Sequence, residues 1–303
     1  YGLGTPSQEL PAFLTLTHPS GLPLLAEANW SNGWLPSIFQ GTVVRPTEPR
    51  LLNLDPAPYL RGAPQNRQLE LLGELNQDHR LEHPGEQDLD ARIASYQLAA
   101  RMQTAAKEAM DIRSESEATR RLYGIDQERT RDYGTRCLIA RRLVERGVRF
   151  VQVVNNGQSW DQHSNLFTAL PDLCGRTDQP VAALIQDLKA LGLLDSTLVH
   201  WGGEMGRLPV IQNDGPKEKV GRDHNTYGFT HWLAGGGVRG GMTYGETDEW
   251  GHHAVKDIVT HHDLHATLLH LFGLDHTRLV YRRAGRELSL TDNKVARVVR
   301  DIL

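Results

Sequence analysis

Between residues 135 and 272 the chain switches repeatedly from helix-period to strand-like patterns, and no other feature constrains its fold as tightly. Residues 135–146 place Cys137, Leu138, Leu143 and Val144 on one helical face, and Gly147 supplies a stop. Residues 148–154 then read as a strand. A second helix is expected from about Asp178, as a cap with Pro180 in its first turn, to Gly192. It keeps Val181, Leu184, Ile185, Leu188 and Leu191 on one face. Residues 197–201 and 230–234 read as two further strands, and a last helix spans about 260–272. Elements of these lengths in this order predict an α/β fold, a mostly parallel sheet with helices on both faces.

Upstream the character differs. Residues 66–124 are charged and helical, and predict a helical hairpin within the domain. Its apolar stripe holds Leu89, Ile93, Tyr96 and Ala100, then Met102, Ala106, Ala109 and Met110. Residues 1–64 are rich in Pro, Gly, Asn and Leu. They predict irregular backbone over a core built elsewhere, with Phe13–Leu16 as one candidate strand. A length of 303 residues is enough for one large α/β domain or two small ones, and a single domain over 1–303 is expected. A net charge of −4 without a basic stripe argues against nucleic acid as a partner. No apolar run approaches the ~20 residues of a membrane span. Two cysteines, Cys137 and Cys174, are too few for a disulfide framework or a zinc–thiolate site.

Histidine is the outlier. Of 14 histidines, 10 lie between His200 and His276, mixed with Asp and Glu, which points to a metal or acid–base site. Asp161 and His163, in the polar loop 155–165, are spaced i, i+2 and point to the same side of an extended segment. There they could share one cation, or Asp161 could cap a turn. Glu204 is a glycine-flanked carboxylate just past the 197–201 strand, where open α/β folds keep their chemistry, and its bland reading is a solvated loop residue. Asp223 and His224 lie in a third such loop, before the 230–234 strand. In a parallel sheet these strand ends share one edge, so the side chains could meet. Arg207 and Arg222 flank the acidic residues and suit a phosphate or sulfate oxyanion, or else balance buried carboxylates. Thr260 and Asp263 have capping-box spacing, which makes Asp263 a helix-start residue.

The ordered set Trp160-Asp161-Gln162-His163, Gly203-Glu204-Met205-Gly206-Arg207, Gly221-Arg222-Asp223-His224 and the glycine-rich 234–241 resembles an uncharacterised family, domain of unknown function 1501. The early stretch from Asn29-Trp30 to Gln40-Gly41-Thr42 and the late His262-Asp263-Leu264-His265-Ala266-Thr267 resemble the same family, so the likeness covers essentially the whole chain. That family is similar in turn to the alkaline phosphatase/sulfatase superfamily. The resemblance implies an alkaline-phosphatase-like domain and a metal-dependent hydrolase of phosphate or sulfate esters. Asp161 and His163 would bind one divalent metal (Zn, Mn, Ca or Mg). Glu204 would serve another, and His224 would be a late ligand or substrate contact. Met205 stands where the superfamily usually has His or Asn, so the second metal would lose a ligand or borrow Asp223. The superfamily's N-terminal metal-binding Asp and its Ser, Thr or Cys nucleophile have no counterpart here. The resemblance therefore implies a chain lacking its N-terminal strand or strands, with the nucleophile upstream of Tyr1. An open sheet edge would favour a homo-oligomer. The substrate would be a small-molecule or polysaccharide ester, and export or a periplasmic location follows from the family alone. Two other classes remain open: a non-catalytic binding or surface protein that keeps the fold, and a metal-dependent amidase or esterase.

Overall fold

In a computed structural model of the protein, the run Phe13–Leu16 (β1) is buried along its whole length. It pairs in parallel with Thr42–Val44 (β2) on one side and Phe150–Val153 (β3) on the other, in the order β2-β1-β3. The structure describes every residue except Tyr1, Gly2, Leu3, Pro6, Trp34, Asn156, Asp214 and Ala284, and only the backbone of Arg283. Asn156 of the expected loop 155–165 thus lies outside the described residues. The chain divides into two units, residues 1–158 and 159–303.

In the first unit the expectation of an N-terminal cover is corrected. The N-terminal residues supply the central strand, and Leu10, Leu14, Leu16 and Val44 are core residues. The candidate strand Phe13–Leu16 forms with those bounds, and its burial on both faces leaves no polar alternation to mark it as the centre of a sheet. The helical hairpin is present as Ala63–Glu82 (α1) and Gln87–Met110 (α2). Ile93, Met102, Ala106, Ala109 and Met110 of α2 are buried, whereas Tyr96 is 67% exposed and leaves the expected stripe. After the short helix Glu117–Leu122 (α3), Glu128–Glu145 (α4) begins earlier than the expected residue 135. It packs Ile139, Ala140 and Leu143 into the core shared with α2 and β1. Arg142 ties α4 to the end of α2, donating to the carbonyls of Ala109 (2.9 Å) and Glu108 (2.7 Å), which a helix end leaves without intrahelical partners. The Glu115 carboxylate pairs with both Arg142 and Arg141, and all three side chains are almost fully buried.

The second unit opens with a long helix, Leu166–Ala190 (α5), which runs through Pro171 and Pro180. Asp178 is therefore not a cap. An Asp two residues before a Pro imitates a helix start, while the true cap position is Asn165, in left-handed backbone at φ 55°. Beyond α5 the strands are short. Val199–Trp201 (β4) pairs with Trp232–Ala234 (β7), and Gly206–Arg207 (β5) pairs with His224–Asn225 (β6), which lie between them in sequence. Glu246–Thr247 (β8) pairs with Ala254–Lys256 (β9), and Val280–Arg283 (β10) with Arg286–Ser289 (β11). All four pairs are antiparallel, so the expected mostly parallel sheet shrinks to β2-β1-β3 among the described residues. The physical reason lies between β4 and β7, where no α-helix intervenes among the described residues. Without a crossover helix nothing compels a parallel pair.

The last helix, His261–Leu271 (α6), follows the sequence reading. Thr260 Oγ1 accepts from Asp263 N (3.1 Å) while the Asp263 carboxylate accepts from Thr260 N (2.9 Å), a complete capping box. Asp263 also accepts from Arg297 N (2.8 Å), which ties the C-terminal segment to the helix start. Thr260→Ala is expected to lower stability by about 1 kcal/mol in urea unfolding. An unchanged midpoint would show that the cap contributes nothing. Among the described residues no helix is long and apolar enough to cross a membrane.

Candidate metal centre

Three of the sequence-derived ligands meet in the second unit, and the local folding explains how. The β5–β6 register sets Arg207 directly opposite His224, and Leu208 N donates to Asp223 O (2.8 Å) beside them. Arg222 N donates to Gln162 O (3.0 Å), which draws the 160–163 loop against the same ribbon. Trp160 anchors that loop by packing edge-on against Trp201 of β4, with ring centroids 5.6 Å apart, and Trp201 stacks in turn on Trp232 of β7. Asp161 and His163 are thereby carried to His224.

The three side chains each offer one atom to a common point. Asp161 Oδ1 lies 3.0 Å from His163 Nε2 and 2.9 Å from His224 Nε2, and the two imidazole nitrogens are 3.2 Å apart. Ligands about 2.0–2.1 Å from a tetrahedral or octahedral ion are separated by roughly 3.0–3.4 Å, so this triangle has the dimensions of one face of a coordination shell. The group meets the requirement for a cation site geometrically. The side chains are 25–43% exposed, which leaves the face open to solvent.

The electrostatics keep the carboxylate of the group ionised. Burial alone would raise the Asp161 carboxyl. Hydrogen bonds from His224 and Arg207 outweigh it, with the charges of Arg207 and His163, and hold its pKa at about 2. Asp161 is thus a carboxylate at any ordinary pH. His163 Nδ1 lies 2.6 Å from Gln212 Oε1, and the neutral tautomer that donates to this oxygen presents an Nε2 lone pair to the shared point. A ligand histidine held by its other ring nitrogen is the usual arrangement at metal sites.

Arg207 is the fourth member. Its guanidinium pairs with Asp161 and donates to the carbonyls of Arg222 (3.1 Å) and Trp160 (3.3 Å). The other sequence-derived residues sit apart from the triangle. Asp223 Oδ1 stands 3.9 Å from His163 Nδ1 and accepts from His224 N (2.8 Å). Arg222 contributes backbone groups, and its Nε is buried with no partner among the described residues. Glu204 is exposed and outside the triangle, and its backbone carbonyl lies 3.0 Å from His261 Nε2.

Two supporting residues escaped the sequence reading. Gln212, in a loop without pattern, orients His163. Asn225 is fully buried, with its amide donating to the carbonyls of Gly228 (3.1 Å) and His252 (2.9 Å) and its Oδ1 accepting from Tyr227 N (3.0 Å). It locks the turn that carries His224. The only signal for it is an amide next to a candidate ligand.

No curated protein and no solved structure matches the chain. The model of the family described as protein of unknown function, DUF1501, matches residues 1–303, and the chain belongs to that family.

Proposed function

We propose that the protein is a metal-dependent hydrolase of phosphate or sulfate esters. The observation that carries this reading is the triangle of Asp161 Oδ1, His163 Nε2 and His224 Nε2, with sides of 2.9–3.2 Å. An ionised carboxylate and two imidazoles form a donor set suited to Zn²⁺ or Mn²⁺, and three protein ligands leave room for a substrate atom. A divalent cation held there would supply Lewis-acid polarisation of an ester oxygen. Asp161 contributes fixed negative charge, and Gln212 keeps the His163 lone pair directed inwards. Arg207, steadied by two carbonyls, presents a planar cation beside the same point, where it can meet an oxyanion whose charge grows during ester cleavage. The finer fold assignment, an alkaline-phosphatase-like domain, belongs to the same proposal and rests on the order of the motifs.

A second reading has its own observation. Asp161 Oδ1 already takes contacts from Arg207, His163 and His224, so the cluster could be a structural ion-pair network in a non-catalytic binding protein. Metal analysis after dialysis against Zn²⁺ or Mn²⁺ separates the two. The hydrolase reading expects an equivalent of metal that Asp161→Asn and His224→Gln each remove, together with any cleavage of 4-nitrophenyl phosphate or sulfate. Absence of binding in the folded protein would sink it in favour of the network.

A further inference from the structure

A second group of imidazoles lies in the same unit. His200 stands on β4, His231 immediately precedes β7, and His261 and His265 occupy successive turns at the start of α6. Gly202 and His231 adjoin the terminal pair of this ribbon, Trp201 opposite Trp232. A Cβ on Gly202 would stand 2.1 Å from His231 Nδ1, so a glycine there is what lets the ring lie over the strand. In that position His231 Nδ1 is 2.7 Å from His200 Nε2, and the two rings stack with centroids 5.0 Å apart. The His231 and His261 rings are 6.1 Å apart, and Phe229 packs against both.

Hydrogen bonding decides which nitrogens are free. His231 Nε2 is buried with no partner among the described residues. With the proton on Nδ1, donated to His200, the buried atom is a bare lone pair. The other tautomer would bury an unpaired N–H, the rarer state in folded proteins. His261 Nε2 lies 3.0 Å from the Glu204 carbonyl, which can only accept, so the neutral ring has a bare Nδ1. One nitrogen tied to an acceptor and the other bare is the orientation seen in metal-ligating histidines. His265, one turn beyond His261 and exposed, adds a third imidazole.

We infer that His231 Nε2, His261 Nδ1 and His265 form a second cation site, for a borderline transition metal such as Zn²⁺ or Co²⁺, with His200 and the Glu204 carbonyl as orienting acceptors. A donor set made only of imidazole favours Zn, Co, Ni or Cu over Mg or Ca. The nitrogens have not converged as those of the Asp161 triangle have. Closing the set requires the exposed His265 to change rotamer, so the site would be the weaker of the two.

Titration of the whole protein with Zn²⁺, followed calorimetrically, and with Co²⁺, followed by visible absorption, is expected to show two equivalents. His265→Gln weakens the second by about tenfold or more and leaves the first in place. Asp161→Asn does the reverse. His231→Gln repeats the first arm from another element, with circular dichroism to confirm folding. A single equivalent lost on His265→Gln keeps this site and removes the Asp161 centre. Binding that is indifferent to both His265→Gln and His231→Gln in folded protein overturns the inference.

Discussion

Gly221→Ala is expected to disable the Asp161 centre without removing any of its side chains. A Cβ at this position would stand 2.0 Å from the carbonyl carbon of His163, 2.2 Å from its oxygen and 2.3 Å from Ser164 N. All three neighbours are backbone, so no side-chain rotation can relieve the clash, and one of the two segments has to move. Gly221 itself is held on both sides, donating to Asn213 Oδ1 (3.2 Å) and accepting from Gln212 N (2.9 Å). The loop bearing His163 is therefore pushed away from His224 and Gln212. Zn²⁺ affinity should fall by about tenfold to hundredfold, with a stability loss of about 1–3 kcal/mol from overpacking. Gly240→Ala is the matched control, since a Cβ there meets nothing within 4 Å. Equal Zn²⁺ affinity in the two variants would show that His163 is not a ligand, or that the loop yields without moving it.

The largest stability effect is expected at Glu115. Removing this carboxylate takes from Arg141 and Arg142, both almost fully buried, the acceptor they share, and leaves Arg142 to the carbonyls of Ala109 and Glu108 and Arg141 to Glu145. Glu115→Ala should cost about 3–5 kcal/mol in denaturant unfolding, the range for breaking a buried pair from one side. Glu117→Ala, at an exposed i, i+4 pair with Arg121, should cost under about 1 kcal/mol. The same site sets an acid limit. Burial would raise the Glu115 carboxyl, but Arg142 and then Arg141 outweigh it and hold it below its ordinary value of 4.5. A carboxyl lowered by folding stabilises the folded state above its unfolded pKa. That contribution is lost as pH falls through the folded pKa. Wild type should thus lose stability below about pH 4.5 more steeply than Glu115→Gln. Parallel acid profiles for the two proteins would count against the network.

The sequence made some of this legible and hid the rest for identifiable reasons. The capping box at Thr260 and Asp263 is a local device, and the structure has it where the spacing puts it. The helical hairpin is likewise a local periodicity, and its two helices form. Strand direction is not local. Among its described residues the course from Trp201 to Trp232 contains no crossover helix, and that absence carried more information than the strand-like runs on either side. The central role of Phe13–Leu16 was hidden because an all-buried strand of four residues has no pattern to read. At the site, the Asp-x-His spacing brought Asp161 and His163 together, whereas their meeting with His224 depends on the β5–β6 register. Arg222 was read for its charge, but the structure employs its amide and carbonyl, which sequence spacing does not reveal.

The pairing of Arg207 with Asp161 sets up a competition within the proposed centre. The guanidinium and any incoming cation call on the same carboxylate, so a metal gains less there than it would from a free Asp. An oxyanion that draws Arg207 towards itself releases Asp161 and strengthens its hold on the cation. By thermodynamic reciprocity, the bound cation strengthens the oxyanion's affinity by the same factor. Metal and anionic substrate would then enter as a cooperative pair, and each would be held weakly when alone.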